Sequence, residues 1–365
     1  MKDAPLVTLV LAVILVMALG WLLVVGRPIL LPIVTAAISV YVMGSATEAL
    51  RRQPVLRHFP TLILRSVVLI AFTLAVVILA LVVTSTVTDI VAVLPKYQAN
   101  LIAMLERIAD RYDLDSAELW QEVRGMTIDR INLQSLTLSI LGGFTAFGAT
   151  IFLVIVYAAF MMSERSVFLR KLSAALPEGE SAAKTIEAVT DINRKIGDYL
   201  AIKTLVNLIL GSISWVILWA FNVDFALFWA IVIGLLNYIP YVGSLLGVLF
   251  PSVLSLAQFG SIPTSVGLTV LLTAAQMTVG GVLDPRLVGR QLNLSPFVVL
   301  TALSFWSSLW GVPGAILAIP LTSIVAIILS RFEATRFIAI LLAERVDTPS
   351  GRRGDAPPEM QKAAE

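Results

Sequence analysis

Phe225–Leu283 reads FALFWAIVIGLLNYIPYVGSLLGVLFPSVLSLAQFGSIPTSVGLTVLLTAAQMTVGGVL, a run of 59 residues without Asp, Glu, Lys, Arg or His. About 20 apolar residues already cross the hydrocarbon core of a bilayer, so the run is too long for one span. It must turn inside or beside a membrane. It also holds three prolines (Pro240, Pro251, Pro263), seven glycines, Asn237 and Gln276. A turn breaks helical hydrogen bonds, and freed backbone groups are tolerated at membrane depth only within protein or beside a water-filled cavity. The segment Asn237-Tyr-Ile-Pro-Tyr-Val-Gly243, with Gly247 and Pro251 after it, is where the break is expected.

Composition agrees with a polytopic, all-α integral membrane protein. Hydrophobic residues make up 58% of the 365 and charged residues 14%, with a mean hydropathy of +0.92. Soluble chains run at about 45–50% and 25%. A net charge of +2 points to no acidic partner and gives nucleic-acid binding no support. The absence of cysteine excludes disulfides, thiol nucleophiles and Cys-ligated metals. His58, the one histidine, lies in an arginine-rich loop without a second histidine or a carboxylate cluster, so neither a metal nor a cofactor is expected.

Outward from the central run, Ala4–Gly26 is a charge-free stretch of 23 residues, and a second run to Thr47 follows Arg27-Pro28 at once. Its length and this successor argue against a cleaved signal peptide. The two runs are expected to form a helical hairpin. Residues 48–65 carry Arg51, Arg52, Arg57 and Arg65 against Glu48 alone, which places that loop in the cytoplasm by the positive-inside rule. Ser66–Thr88 is the third span. Asp89–Arg130, with eight acids and five bases, reads as an extracytoplasmic amphipathic segment that lies on the membrane, packs on a neighbouring subunit of a homo-oligomer, or simply links two spans. Leu141–Met162 returns to the cytoplasm. The mixed-charge segment 164–203 then carries Ile186, Val189, Ile192, Ile196 and Tyr199 three or four apart, as a surface helix entering the fifth span near Thr204. Residue 224 falls outside and the Asp284/Arg286/Arg290 cluster inside. Residues 225–239, 244–260 and 265–283 either cross three times or form a re-entrant hairpin and one crossing, since both have the same parity. Gln291–Ser330, interrupted at Trp310-Gly-Val-Pro313-Gly314 and Pro320, is expected to go out and back. One transmembrane domain over 1–346 is thus followed by a disordered cytoplasmic tail, 347–365.

The ordered set Tyr199 and Lys203, Asn237-Tyr-Ile-Pro-Tyr-Val-Gly243, Asp284-Pro-Arg-Leu-Val-Gly-Arg-Gln-Leu-Asn-Leu-Ser-Pro296, Leu309-Trp-Gly-Val-Pro-Gly314 and Ala318-Ile-Pro-Leu-Thr322 resembles the AI-2E family of bacterial permeases. The likeness runs from about Leu6 to Arg345, and its specific motifs all lie in the second half. It implies an inner-membrane protein with about eight spans, and the charge pattern puts both termini in the cytoplasm. It also implies export of small molecules, autoinducer-2 being the name-giving substrate, with sodium or lithium/proton antiport in some members. Ser244 departs from the proline expected after Gly243, which puts the stiffness of that turn in question.

The residues themselves support two uses of these motifs. Pro240 lacks an N–H, and Gly243 and Gly247 permit close approach or unusual dihedrals, so a break there would offer carbonyls and the Asn237 amide to a small polar solute or a monovalent cation. Gln276, Gly311 and Gly314 could contribute likewise, as in the discontinuous helices of transporters. The plain alternative is close helix packing by small residues. Tyr199 and Lys203 sit one turn apart at a membrane entry, where Lys203 either snorkels to the interface or takes part in gating. No phosphate loop for ATP hydrolysis and no zincin or hydrolase motif appears, so an enzyme is not expected. Asp198, Asp224 and Asp284 are the coupling candidates for protons; each also reads as an end-of-helix charge, which ranks antiport below export of a neutral polar solute. A non-transporting membrane scaffold is the reading from another class.

Overall fold

The computed structural model describes residues 4–112, 133–175, 180–287 and 292–345. Helices dominate, as lipid requires, because a helix satisfies its backbone hydrogen bonds within one segment. In chain order they are α1 (Ala4–Val25), α2 (Arg27–Arg51), α3 (Thr61–Tyr112), α4 (Leu133–Ala175), α5 (Glu180–Ala220), α6 (Ala226–Leu236), α7 (Val242–Phe259) and α8 (Ile262–Thr278). A π turn, Val279–Leu283, joins α8 to the single turn α9 (Asp284–Leu287), and α10 (Pro296–Ser330) and α11 (Arg336–Leu342) complete the chain. Six of the described helices are long and apolar enough to cross a membrane, with shorter apolar helices beside them.

The expected hairpin of α1 and α2 is not formed. Gly26 alone separates them, at φ −76° and ψ −1°, and the Leu30 N–H still bonds the Gly26 carbonyl. Those dihedrals are right-handed helical, so the chain bends but does not reverse. Pro28 explains the misreading, because proline suits the first turn of a helix, where its missing N–H costs nothing. The amphipathic segment that starts at Asp89 is likewise no separate surface helix over its described part. It continues α3 through Pro95 to Tyr112, and residues 113–130 lie outside the described residues. The cytoplasmic segment is similar: α4 runs on to Ala175 and α5 begins at Glu180, both as extensions of their spans. The tail 347–365, Pro177–Gly179 and the Gly289/Arg290 part of the Asp284 motif also lie outside the described residues.

The organising run folds as a helical hairpin, α6–α7, followed by α8. Phe225, at φ 58°, starts α6, which ends after eleven residues where Pro240 removes a donor. Eleven residues rise only ~16 Å, about half the hydrocarbon core. The base of the hairpin is closed by Gln258, whose side chain bonds the Asp224 N–H and the Asn222 carbonyl, both at 2.8 Å. Its tip is held inside the bundle by α5. Gly260, at φ 54°, ends α7 in the left-handed conformation that suits glycine, and α8 follows. Inside α10, Gly311 at φ 67° reverses the chain, and Trp306 Nε1 bonds Thr322 Oγ1 across the resulting hairpin. The out-and-back reading of 291–330 is therefore what the structure shows.

Candidate functional site

Along α5 the positions Ile192, Ile196, Tyr199, Lys203, Asn207, Leu210 and Ser214 recur every three or four residues, and all are buried. Three polar or charged residues on a buried stripe must find partners from other elements. Lys203 Nζ finds Asp284 Oδ2 at 2.6 Å, at the end of the π turn. Asn207 Oδ1 accepts from Asn237 Nδ2 at 2.7 Å, at the hairpin tip. Thr204 Oγ1 and the Tyr238 hydroxyl lie 2.7 Å apart between these two bonds. The tip is thus fixed to α5 by side chains, since its own backbone ladder is broken.

That break is well defined. Tyr241 sits at φ 61° and ψ −56°, a conformation that costs a non-glycine residue about 1–3 kcal/mol and clusters at functional sites. The Ser244 hydroxyl donates to the Tyr241 carbonyl at 2.9 Å, so the turn is braced by a hydrogen bond where a proline ring was expected.

Between α5, α7, α8 and the π turn lies a cavity of about 1100 Å³. Tyr199, Lys203, Asn237, Pro240, Gln276 and Asp284 all line it. Six of the residues singled out in the sequence are therefore brought together from four separate stretches. The cavity also has a polar wall of Ser244, Ser252, Thr269 and Thr273, which the sequence reading did not single out. Tyr199 is 6% exposed, Lys203 8% and Gln276 8%. Gln276 Nε2 and Asp284 Oδ1 are buried without a hydrogen-bond partner among the described residues. Lys203 does not snorkel; its charge is balanced within the protein, next to the cavity.

The remaining candidates lie elsewhere. Gly243 is buried in the turn, where a Cβ would lie 1.8 Å from the Leu236 carbonyl oxygen. Gly247 leaves room for Gln276, whose Nε2 would be 3.1 Å from an added Cβ. Gly311 and Gly314 shape the α10 turn, near Arg27 and Trp306. Asp224 accepts from the Tyr97 hydroxyl at 2.9 Å at the base of the hairpin, at the start of α6. Asp198 is exposed beside Glu48, Arg51 and Arg65 in a separate polar pocket. Asn207, the partner of Asn237, had a legible signal that went unread: it stands one turn after Lys203 in the same apolar run.

Comparison with known proteins places this arrangement in a family. The model of the AI-2E family transporter matches residues 9–334. A protein of Borreliella burgdorferi, named only for a transport role, is 32% identical over 265 residues, 70% of each chain. The AI-2 transport protein TqsA of Escherichia coli is 26% identical over 339 residues, 90% of this chain and 95% of its own. YhhT of Escherichia coli, also named for transport, is 28% identical over 291 residues, 80% and 81% of the two chains. With a match over nearly its whole length and a multi-pass helical fold, the chain belongs to the AI-2E transporter family.

Proposed function

We propose that this protein carries a small neutral polar solute outward across the bacterial inner membrane by a secondary or facilitative cycle, with the cavity beside the hairpin tip as its binding site. The cavity carries the reading. Its one lysine and one carboxylate neutralise each other at 2.6 Å, so an entering solute meets polar groups without net charge. Gln276 Nε2 offers a donor and Asp284 Oδ1 an acceptor, as a hydroxyl- or carbonyl-bearing solute requires. The name of TqsA favours a solute similar to autoinducer-2. Purified protein in proteoliposomes should move such a solute faster than protein-free vesicles, and a Gln276→Leu variant should move it more slowly at equal amounts of folded protein. Flux equal to that of empty vesicles for a screen of small polar solutes would favour the scaffold reading instead.

Antiport of Na+ or Li+ against H+ is the second reading, favoured by the unpartnered Asp284 oxygen at the cavity. Dependence of flux on an imposed pH or sodium gradient separates it from the first. In either reading the 48–65 loop and the C-terminus are cytoplasmic, and the outer part of α3 is extracytoplasmic. A cytoplasmic N-terminus further requires α1 to fold back against α2 in the bilayer. The bare apolar surface of α1, with Leu15, Val16, Met17 and Trp21 all exposed, supports a homo-oligomer that covers it.

A further inference from the structure

A second cavity, of about 340 Å³, lies on the opposite side of the Asn207–Asn237 bond, between α5 and α6. Its walls are apolar, from Leu208, Trp215, Leu227, Ile231 and Leu235, and all of these but Ile231 are exposed on the outer surface of the bundle. Its floor is backbone. A Cβ at Gly211 would lie 3.2 Å from the Ala230 carbonyl oxygen, and one at Gly234 would lie 3.1 Å from the Asn207 carbonyl oxygen. Two glycines facing each other let α5 and α6 approach closely, and the shallow trough along them is the cavity.

One end of this groove is polar. Thr204, Asn207 and Tyr238 gather there. Asn207 is 5% exposed, and its Nδ2 is a buried donor with no hydrogen-bond partner among the described residues. The polar end belongs to the half of α5 nearer the cytoplasm, and the apolar end at Trp215 lies toward the outside. From Thr204 to Trp215 the helix rises ~16 Å, about the depth of one leaflet's hydrocarbon. Polarity, length and direction therefore match a lipid of the inner leaflet, with its ester group at the cytoplasmic end and its tail toward the midplane. We infer that this groove is a binding site for one acyl chain of an inner-leaflet phospholipid, whose ester carbonyl accepts from Asn207 Nδ2.

The site has a consequence for transport. The same Asn207 side chain accepts from Asn237 at the wall of the solute cavity, so a lipid in the groove holds the hairpin tip from its far side. This part rests on the proposed transport site; occupancy of the groove does not.

The test uses the full chain in vesicles of phosphatidylethanolamine and phosphatidylglycerol that carry a small fraction of a diester phospholipid with a diazirine in one tail. After illumination, crosslinks should concentrate in peptides covering Leu208–Trp215 and Leu227–Leu235. Ile231→Trp, which fills the groove without touching its polar end, should reduce them about tenfold relative to crosslinks on α3. Asn207→Leu should reduce them several-fold, and a diether analogue without the carbonyl should label wild type as weakly as the diester labels Asn207→Leu. Free diazirine fatty acid serves as the competing source, and stronger labelling by it than by the diester would overturn the assignment to a phospholipid. Crosslinks spread evenly over lipid-facing helices, or chain-to-chain crosslinks at Trp215 showing that a second copy fills the groove, would overturn the site itself. Size-exclusion profile and melting temperature confirm that each variant is folded, and Leu208→Trp fills the same groove should Ile231→Trp fail to fold.

Discussion

Lys203 and Asp284 stand 81 residues apart in sequence and meet at 2.6 Å beside the solute cavity. Removing one partner leaves the other charge in a poorly hydrated place, which costs about 3–5 kcal/mol for a buried pair, whereas removing both together is often close to neutral. Lys203→Met and Asp284→Asn should therefore each lower thermal stability strongly, and the double variant should recover most of it; additive losses in the double variant would show that the two charges are not coupled. A second comparison isolates the role of Asn237. Asn237→Leu and Asn207→Leu break the same hydrogen bond, worth about 0.6–2 kcal/mol between membrane helices, and should cost similar stability. Only Asn237 lines the solute cavity, so solute flux per folded molecule should fall roughly 5- to 150-fold in Asn237→Leu, the equivalent of about 1–3 kcal/mol of lost polar contact. Normal flux per folded molecule together with a lowered melting temperature in Asn237→Leu would assign Asn237 to packing alone. Lys203, Asn237 and Gln276 were legible in the sequence because a polar group in an apolar run is costly unless it is used. The pairing of Lys203 with Asp284 and of Asn237 with Asn207 was not, because it depends on which faces of α5, the π turn and the hairpin tip meet, and no spacing along the chain encodes that.

The α6–α7 hairpin was legible in position and not in depth. Pro240 and Gly243 mark the turn, yet a full crossing and a re-entrant loop leave the following charges on the same side of the membrane. We propose the re-entrant form, because α6 stops after eleven residues and the tip bonds Asn207 of α5. The α1–α2 junction was misread for a related reason, since Arg27-Pro28 is compatible with a reversal and equally with the first turn of a new helix. Glycines around the site should separate by what an added methyl group meets. At Gly243 it meets the Leu236 carbonyl oxygen at 1.8 Å, a backbone atom that cannot swing aside, while at Gly280 it meets nothing within 4 Å. Gly243→Ala should thus yield little folded protein, measured as monodisperse material after detergent extraction. Gly280→Ala should extract normally and be up to about 1 kcal/mol more stable, since alanine is the better helix former. Similar yields for both variants would mean that the turn has an alternative geometry.

For the whole molecule, polar layers stand between the cavity and the base of the α6–α7 hairpin, the side that the proposed topology puts outside. The hydroxyls of Ser252 and Thr269 lie 2.8 Å apart, and those of Ser255 and Ser265 also 2.8 Å. Above them the outer part of α3 grips the ends of the hairpin: Tyr97 bonds Asp224, Asn100 bonds the Gln258 carbonyl, and Arg107 bonds the Gly260 carbonyl at 2.7 Å. The continuation of α3 past its apolar part thus acts as a clamp on the base of the α6–α7 hairpin. Under the proposed outward transport, release of a solute would require the clamp and both hydroxyl layers to part, and the clamp would set how often that side opens. The chain has no cysteine, which makes single introduced thiols clean reporters. Asp110→Cys should react with a membrane-impermeant maleimide from outside only, fixing the orientation. Ser255→Cys, at a fully buried position, should react slowly from that side. Adding Asn100→Ala and Arg107→Ala removes two clamp bonds worth about 2 kcal/mol together. A change of that size shifts a two-state population by up to roughly 30-fold, so outside labelling at position 255 should accelerate by about that factor at unchanged melting temperature of the inner bundle. Labelling at an unchanged rate would mean that the hairpin base stays shut without α3, and labelling of position 255 from the cytoplasmic side alone would place the exit path elsewhere.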